Sequence, residues 1–303
     1  MGLSVSILGS NSALPTSERN PTAQVLQAPG RFFLIDCGEG TQMQLRRNKV
    51  HFGKINHVFI SHLHGDHVFG LPGVISSFGL LGRSHDLFVH AHPDLEGLMR
   101  PVIEYFSKDL PFRVVFQPFS PGSSEIIYED DLLEVSSFPL EHRIPTVGFI
   151  FREKRKERKI NKEMCDFYGV PVKWMPRLKQ WEDYVDDNGK VIPNEKLTLP
   201  PPSSKSYAFC SDTRFSESVI SAVQNVDMIY HEATFLKDQE ELAGKTFHST
   251  ARQAGEVARR ANAKKLLLGH FSSRYKDLEP FQDEAREVFP NSFIAEEGKK
   301  FEV

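Results

Sequence analysis

The chain has 303 residues, is 40% hydrophobic and 25% charged, and carries a formal net charge of −3. That length holds one large domain or two small ones, and the composition is that of a soluble globular protein with a sizeable core, not of a disordered or disulfide-stapled chain. The near-neutral balance excludes nucleic-acid binding driven by bulk charge, so any such partner has to be held by a local patch.

The N-terminal residues lack the basic start and long apolar stretch of a signal peptide, and no run approaches the ~18 apolar residues of a membrane span. Cys37, Cys165 and Cys210 form no CxxC pair. An odd set of three fits a reducing cytoplasm better than a disulfide framework. Hydrophobic patterning predicts strands over 3–8, 23–26 and 32–35. A helix follows Asp36-Cys37-Gly38 to about Asn48, and a buried strand covers 56–60. The segment 68–78 reads as helical. Strands recur near 88–91, 113–117, 132–138 and 146–151. The second half repeats the theme: strand 206–211, helix 216–223, strand 228–230, helix 249–261, strand 264–268, helix 279–289 and strand 292–295. Strands of both halves with helices between them predict an α/β protein of αββα layering, two sheets face to face with helices outside.

Between about 152 and 204 the alternation of strand and helix stops. Residues 152–179 hold ten basic side chains against four acidic, a local net of +6. Phe167, Tyr168, Trp174, Trp181 and Tyr184 are interleaved, and the stretch ends in Pro200-Pro201-Pro202, which suits neither helix nor sheet interior. The expected organisation is a single domain over 1–303 with an inserted basic arm at about 152–204. Trp174 and Tyr168 are not assigned to base stacking, because they can equally pack the arm against itself.

His62-Leu63-His64-Gly65-Asp66-His67 follows the apolar run Val58-Phe59-Ile60. His62 and His64 project to the same side of an extended segment and can grip one ion. Asp66 and His67 lie past a glycine, where the chain can turn, and can face a second. Imidazole with carboxylate suits zinc, less often manganese or iron. A dinuclear site needs about seven protein ligands with one bridging carboxylate. Three further candidates sit where predicted strands end: His142 in PLEHRIPTVGF, Asp212 in FCSDTRF and His270 in LLLGHFSSRY.

These residues resemble the metallo-β-lactamase fold and, within it, the ribonuclease Z family of tRNA 3′-processing endonucleases. Pro15-Thr16-Ser17-Glu18-Arg19-Asn20 resembles that family's PxKxRN loop. DCGEGTQ at 36–42, HEATF at 231–235, GHFSSRY at 269–275 and the arm between His142 and Asp212 extend the likeness nearly end to end. Ser17 stands where the family loop has lysine, and Gly169-Val170-Pro171 replaces a clean Gly-Pro motif in the arm.

The resemblance implies two zinc ions per chain. One would be held by His62, His64, His142 and Asp212, the other by Asp66, His67, His270 and the same bridging Asp212. It also implies precursor tRNA as substrate, a cytoplasmic homodimer and no membrane partner. In the implied reaction, the zincs lower the pKa of a bridging water, and the resulting hydroxide attacks phosphorus in line to leave a tRNA 3′-hydroxyl. Asp66 can accept a proton as well as ligate. His248, just before a helix that Ser249 can cap, resembles the family's proton donor, and Glu232 could orient it or position substrate. Asp36 reads as a carboxylate behind the ligands. Arg19, Asn20, Ser272 and Arg274 are the expected phosphate contacts. His51, His57, His85, His90 and His92 match no motif. The competing readings are a small-molecule phosphodiesterase or arylsulfatase-like hydrolase on the same ions, which needs no arm, and an RNA-binding module without metals, which needs no ligand set.

Overall fold

The computed structural model describes residues 2–107 and 109–303. Strands β1 (Ser4–Gly9), β2 (Ala23–Ala28) and β3 (Arg31–Ile35) form an antiparallel meander. It continues through β4 (Ile55–Phe59), β5 (Leu87–Ala91) and β6 (Val114–Pro118), each parallel to the strand before it. β7 (Glu125–Glu129), β8 (Leu133–Leu140) and β9 (Thr146–Glu153) begin a second sheet. After the short strands β10 (Lys159–Ile160), β11 (Tyr184–Val185), β12 (Val191–Ile192) and β13 (Thr198–Leu199), the second sheet resumes. It adds β14 (Ser206–Cys210), β15 (Met228–Glu232), β16 (Lys265–Gly269) and β17 (Ser292–Ile294), all parallel. β18 (Lys300–Glu302) returns to pair antiparallel with β1. The orders are β18-β1-β2-β3-β4-β5-β6 and β17-β16-β15-β14-β9-β8-β7, seven strands each.

The period of two along each strand decides which layer a side chain joins. In β3, β4, β9 and β14, Phe33, Phe59, Phe149, Phe151, Tyr207 and Phe209 point between the sheets. Phe33 and Phe59 meet Phe151 with ring centroids 5.7 and 5.4 Å apart, and Phe59 meets Phe149 at 5.6 Å. Each ring so buried contributes about 1.5–3 kcal/mol. The alternate residues face outward. Leu34, Val58 and Val89 pack under helices Thr41–Arg47, Leu71–Leu80 and Asp94–Phe106 through Leu45, Val74, Phe78 and Leu95. Ala208, Ile229, Leu266 and Leu268 pack under helices Glu217–Ala222, Ala251–Arg260 and Glu279–Arg286 through Val219, Ala254, Val257 and Phe281. The layering is αββα.

Residues 130–133 and 152–204 form a compact unit of their own, and the other described residues form the larger one. The smaller unit corrects the expectation that regular structure stops there. It has the ladders β10–β13 and β11–β12 and three short helices, Lys162–Phe167, Met175–Lys179 and Asn194–Leu197. Its own core is built on Cys165, Val170, Leu178, Tyr184, Ile192 and Leu197, with Trp174 and Tyr168 packed against it. Arg155 and Arg158 lie over the Trp181 ring at 3.4 and 4.5 Å.

Helix Asp94–Phe106 is absent from the sequence reading, because Pro101 interrupts a pattern that otherwise has a helical period. β7, β18 and helix Glu240–Thr246 are likewise new. The cap of Ala251–Arg260 is Thr250, not Ser249. Thr250 and Gln253 make a reciprocal capping box, while Ser249 Oγ donates to the Thr213 carbonyl at 2.7 Å. The three cysteines are free and buried. Among the described residues, no helix is long and apolar enough to cross a membrane.

His90 is stacked on Phe59 with its Nε2 3.0 Å from His57 Nδ1. Burial, then the neighbouring His57, push its pKa down from the ordinary 6.5 to about 3. Between those values the unfolded chain binds a proton that the folded chain does not, so stability falls as pH falls through that window. Relative to a His90→Phe variant, the parent should lose about 2 kcal/mol of unfolding free energy between pH 7 and pH 5. Denaturant titrations showing parallel pH profiles for the two would reject this role for His90.

Candidate metal centre

The site collects at the C-terminal ends of strands. Asp36 follows β3, His62 to His67 follow β4, His142 follows β8, Asp212 follows β14, Glu232 ends β15 and His270 follows β16. At this end the two sheets are stitched together by backbone. Val147 N–H donates to the Ser61 carbonyl at 3.1 Å, Phe271 N–H to Ser10 at 2.9 Å and Ser12 N–H to Phe271 at 2.9 Å. His270 holds a left-handed φ of 59°, a strained conformation for a residue with a Cβ and one typical of functional positions.

Two groups of ligand atoms form with no residue in common, and a third, Asp212, His248 and His270, overlaps both. His62, His64, His142 and Asp212 offer atoms within 4.8 Å of one another, and so do Asp66, His67 and His270. His62 Nε2 lies 3.0 Å and His142 Nε2 3.3 Å from His64 Nδ1. Asp212 spans the groups. Its Oδ2 is 3.7 Å from His62 Nε2 and 3.8 Å from His142 Nε2, while its Oδ1 is 3.3 Å from His67 Nε2 and 3.2 Å from His270 Nε2. Asp66 Oδ2 lies 3.3 Å from His67 Nε2 and 3.4 Å from His270 Nε2, and it accepts from Ala13 N–H at 2.8 Å.

The outer nitrogens of the histidines are fixed by hydrogen bonds that turn lone pairs inward. His67 Nδ1–H donates to Asp36 Oδ2 at 2.7 Å, and His142 Nδ1–H to the Phe247 carbonyl at 3.0 Å. Ser61 Oγ donates to Asp36 Oδ2 at 2.9 Å and so accepts from His62 Nδ1–H at 3.0 Å. Thr234 Oγ1 donates to Glu232 Oε2 at 2.7 Å and accepts from His270 Nδ1–H at 3.0 Å. Such partners set tautomer and ring orientation at metal sites.

The electrostatics match that assignment. Burial holds the pKa of His62, His64 and His142 below the ordinary value, so their rings are neutral. Burial also disfavours charge on His67, but Asp66, Asp212 and Asp36 outweigh it and hold its pKa well above the ordinary value. His67 Nε2 is buried without a hydrogen-bond partner. An orphaned nitrogen facing buried carboxylates demands positive charge, which a divalent cation supplies.

Beside the two groups, His248 Nδ1 meets Glu232 Oε1 at 2.8 Å. Burial opposes the imidazolium, yet Glu232 raises the His248 pKa to about 9. Glu232 is fully buried and also accepts from the N–H groups of Thr213, Thr234 and Ser249 at 2.9, 3.1 and 3.1 Å. Glu232 thus favours the protonated form of His248, with Nε2 free of that contact.

A cleft of about 640 Å³ opens over the centre, lined in part by His64, Asp66, His142, Asp212, His248 and Ser272. The expected phosphate contacts divide. Ser272 lines the cleft; Arg19, Asn20 and Arg274 do not. Arg19 Nη2 donates to the Tyr275 carbonyl at 2.6 Å, and Asn20 Nδ2 to Glu297 Oε2 at 2.7 Å, so both brace loops behind the wall. The Arg274 guanidinium lies 5.2 Å from the Phe235 ring. Sequence reasoning missed Arg143, the one lysine or arginine among the described residues lining the cleft. Its place directly after His142 is the signal that could have found it. The roles of Ser61, Thr234 and the Phe247 carbonyl had no sequence signal.

Comparisons with known proteins agree with this geometry. Residues 3–94 match the family model described as anti-Pycsar protein Apyc1. A ribonuclease Z of Phocaeicola vulgatus is 49% identical over 299 residues, covering 99% of this chain and 97% of that one. Among solved structures, the short form of human tRNase Z has a TM-score of 0.71 at 24% identity, covering 99% of both chains. The metallo-β-lactamase fold protein YhfI of Bacillus subtilis has a TM-score of 0.70 at 17% identity, covering 100% of both. The fold is the metallo-β-lactamase fold.

Because one carboxylate serves both groups, Asp212→Ala should lose bound metal from both together, whereas His64→Ala should deplete one group first. Elemental analysis after dialysis reads this directly. Full metal occupancy in Asp212→Ala would refute the shared role.

Proposed function

The chain belongs to the ribonuclease Z family, the tRNA 3′-processing endoribonucleases, and we propose that it cuts precursor tRNA with two zinc ions shared across Asp212. The observation that carries this reading is the Asp212 carboxylate, with one oxygen toward each group of inward lone pairs, beside a His248 whose protonated form Glu232 favours. His62, His64 and His142 would hold one ion, Asp66, His67 and His270 the other. Bound there, they supply a water acidic enough to attack phosphorus at neutral pH and positive charge for the phosphoryl oxygens.

The chain's own groups do the rest. Asp66 would take up the proton of the attacking water. The departing 3′-oxygen receives its proton from His248 Nε2, and Glu232 stabilises the imidazolium until then and the ring's orientation after. Arg143 faces the cleft as a counter-charge for a phosphate next to the one being cut. The full-length relative favours this reading over a small-molecule hydrolase.

We propose the segment 152–204 as the RNA exosite. Arg152, Lys159, Lys162 and Lys173 are exposed and have no ion-pair partner among the described residues. A homodimer is proposed on the exposed Leu80, Leu81, Leu98, Tyr105 and Phe106 of two helices that pack on each other, a surface a second copy would cover. Sedimentation as a monomer at assay concentration would remove it.

Incubated with a precursor tRNA bearing a 3′ trailer, the zinc-loaded protein should release a tRNA ending in a 3′-hydroxyl, read by mapping the product ends. His248→Ala should keep its metal and lose roughly 10²–10⁴ in rate, the usual contribution of a general acid. A rate near the parent's would return His248 to a structural role.

Replacing 152–204 by a short Gly/Ser linker should spare hydrolysis of a small chromogenic phosphodiester and strongly weaken precursor tRNA binding. The parent's affinity should fall steeply with salt, because capture by phosphate neutralisation does, and the shortened protein's should not. Equal tRNA cleavage by both at low substrate concentration would reject the exosite.

A further inference from the structure

One part of the cleft wall has no role in metal binding or proton transfer. Phe69 is 70% exposed there, whereas Phe235, the other phenyl ring lining the cleft, is 5% exposed. The Phe69 backbone lies between helices Gly65–Val68 and Leu71–Leu80, with its N–H donating to the Gly65 carbonyl at 2.8 Å. One side of its ring lies against the Gly65 backbone, so closely that a Cβ there would sit 2.2–2.7 Å from ring carbons. The ring's remaining surface is exposed and lines the cleft.

Glu39 lines the same cleft. A Cβ on Gly70 would lie 2.0 Å from the Gly38 carbonyl oxygen, and Gly70 N–H donates to the Cys37 carbonyl at 2.9 Å. The two segments touch through glycine one residue before Glu39 and one residue after Phe69, and both side chains line the cleft. The Glu39 carboxylate is exposed, with no hydrogen-bond or ion-pair partner among the described residues. A surface serving phosphates alone has no use for a bare phenyl ring and an acceptor carboxylate. A nucleobase matches both, with a π-face to stack and N–H donors on its edge.

We propose that Phe69 and Glu39 form a nucleobase site at the lip of the metal cleft. The base of a nucleotide flanking the scissile phosphodiester stacks on Phe69 and donates an N–H to Glu39. The site rests on the endoribonuclease reading of the same cleft. Stacking tolerates any base, and Glu39 adds the preference among bases.

The test compares kcat/KM of the metal-loaded enzyme on an intact precursor tRNA and on precursors abasic on the 5′ or the 3′ side of the cut. The parent should lose roughly tenfold to a hundredfold on one of the abasic substrates, the usual scale of a base–aromatic stack. Phe69→Leu, which keeps the apolar lip, should lose the same factor on the intact precursor and nothing further on that abasic one. Phe69→Trp should stay near the parent. Glu39→Gln should change the spread of rates among the four bases at that position. Phe69→Leu cleaving the intact precursor like the parent would overturn the site. So would a loss of equal size on intact and abasic precursors, which would make Phe69 a support for the fold or for a partner's contact. A parent enzyme that leaves every precursor uncut while still hydrolysing a small phosphodiester would instead refute the endoribonuclease reading, and the site with it.

Discussion

One buried carboxylate, Asp212, has to face two sets of imidazole lone pairs at once, and much of the architecture follows from that demand. Its two oxygens are about 2.2 Å apart by covalent geometry, so the rings on either side have little freedom. His62 and His67 come from the first sheet, His142 and His270 from the second. The sheets must therefore be in register with each other to within a fraction of an ångström at one end. The interlocked Phe33, Phe59, Phe149 and Phe151 provide the stiffness, since a close-packed interior transmits displacement instead of absorbing it. The backbone links from Val147 to Ser61 and from Phe271 to Ser10 fix the end where the ligands emerge.

Stiffness alone would leave the rings free to rotate, and a set of polar residues behind them removes that freedom. Asp36 holds Ser61 and His67 together, so one carboxylate serves both groups from the first sheet. From the second sheet Glu232 braces one of those groups, through Thr234 to His270, and holds His248 directly. Its five short contacts leave it little acceptor capacity for substrate, which favours its role as the orienter of His248 over that of a substrate contact.

How much of this the sequence disclosed depends on the range of the interaction concerned. Ligand identity is local: His62 to His67 are crowded into one turn, and His142, Asp212 and His270 each follow an apolar run whose period marks a strand. The αββα layering is local in the same sense, because alternation in β3, β4 and β14 assigns each residue to a layer. The supporting shell is not local. Ser61, Thr234 and the Phe247 carbonyl are ordinary until the fold brings them to a histidine nitrogen, at sequence separations from 1 to 105. Arg19 and Asn20 show the converse. Their motif suggested phosphate contact, but Tyr275 and Glu297 engage them first. The small unit's internal structure was illegible because its ladders are two residues long and its core is a handful of side chains, below what periodicity resolves.

Charge explains why chemistry and capture are arranged as they are. The cleft presents Asp66, Asp212 and Glu39 against one arginine, so the chain's own side chains make a poor electrostatic host for a phosphodiester. Positive charge at the centre would come with bound cations, and the carboxylates that could hold them are the ones that would otherwise repel RNA. Bulk attraction cannot compensate in a protein of net charge −3. The basic side chains are instead concentrated in 152–179, outside the segments that carry the ligands, where they can be numerous without competing for Asp66 or Asp212. If the segment 152–204 is the exosite, the centre can stay rigid while recognition of a long polyanion falls to a unit with its own core.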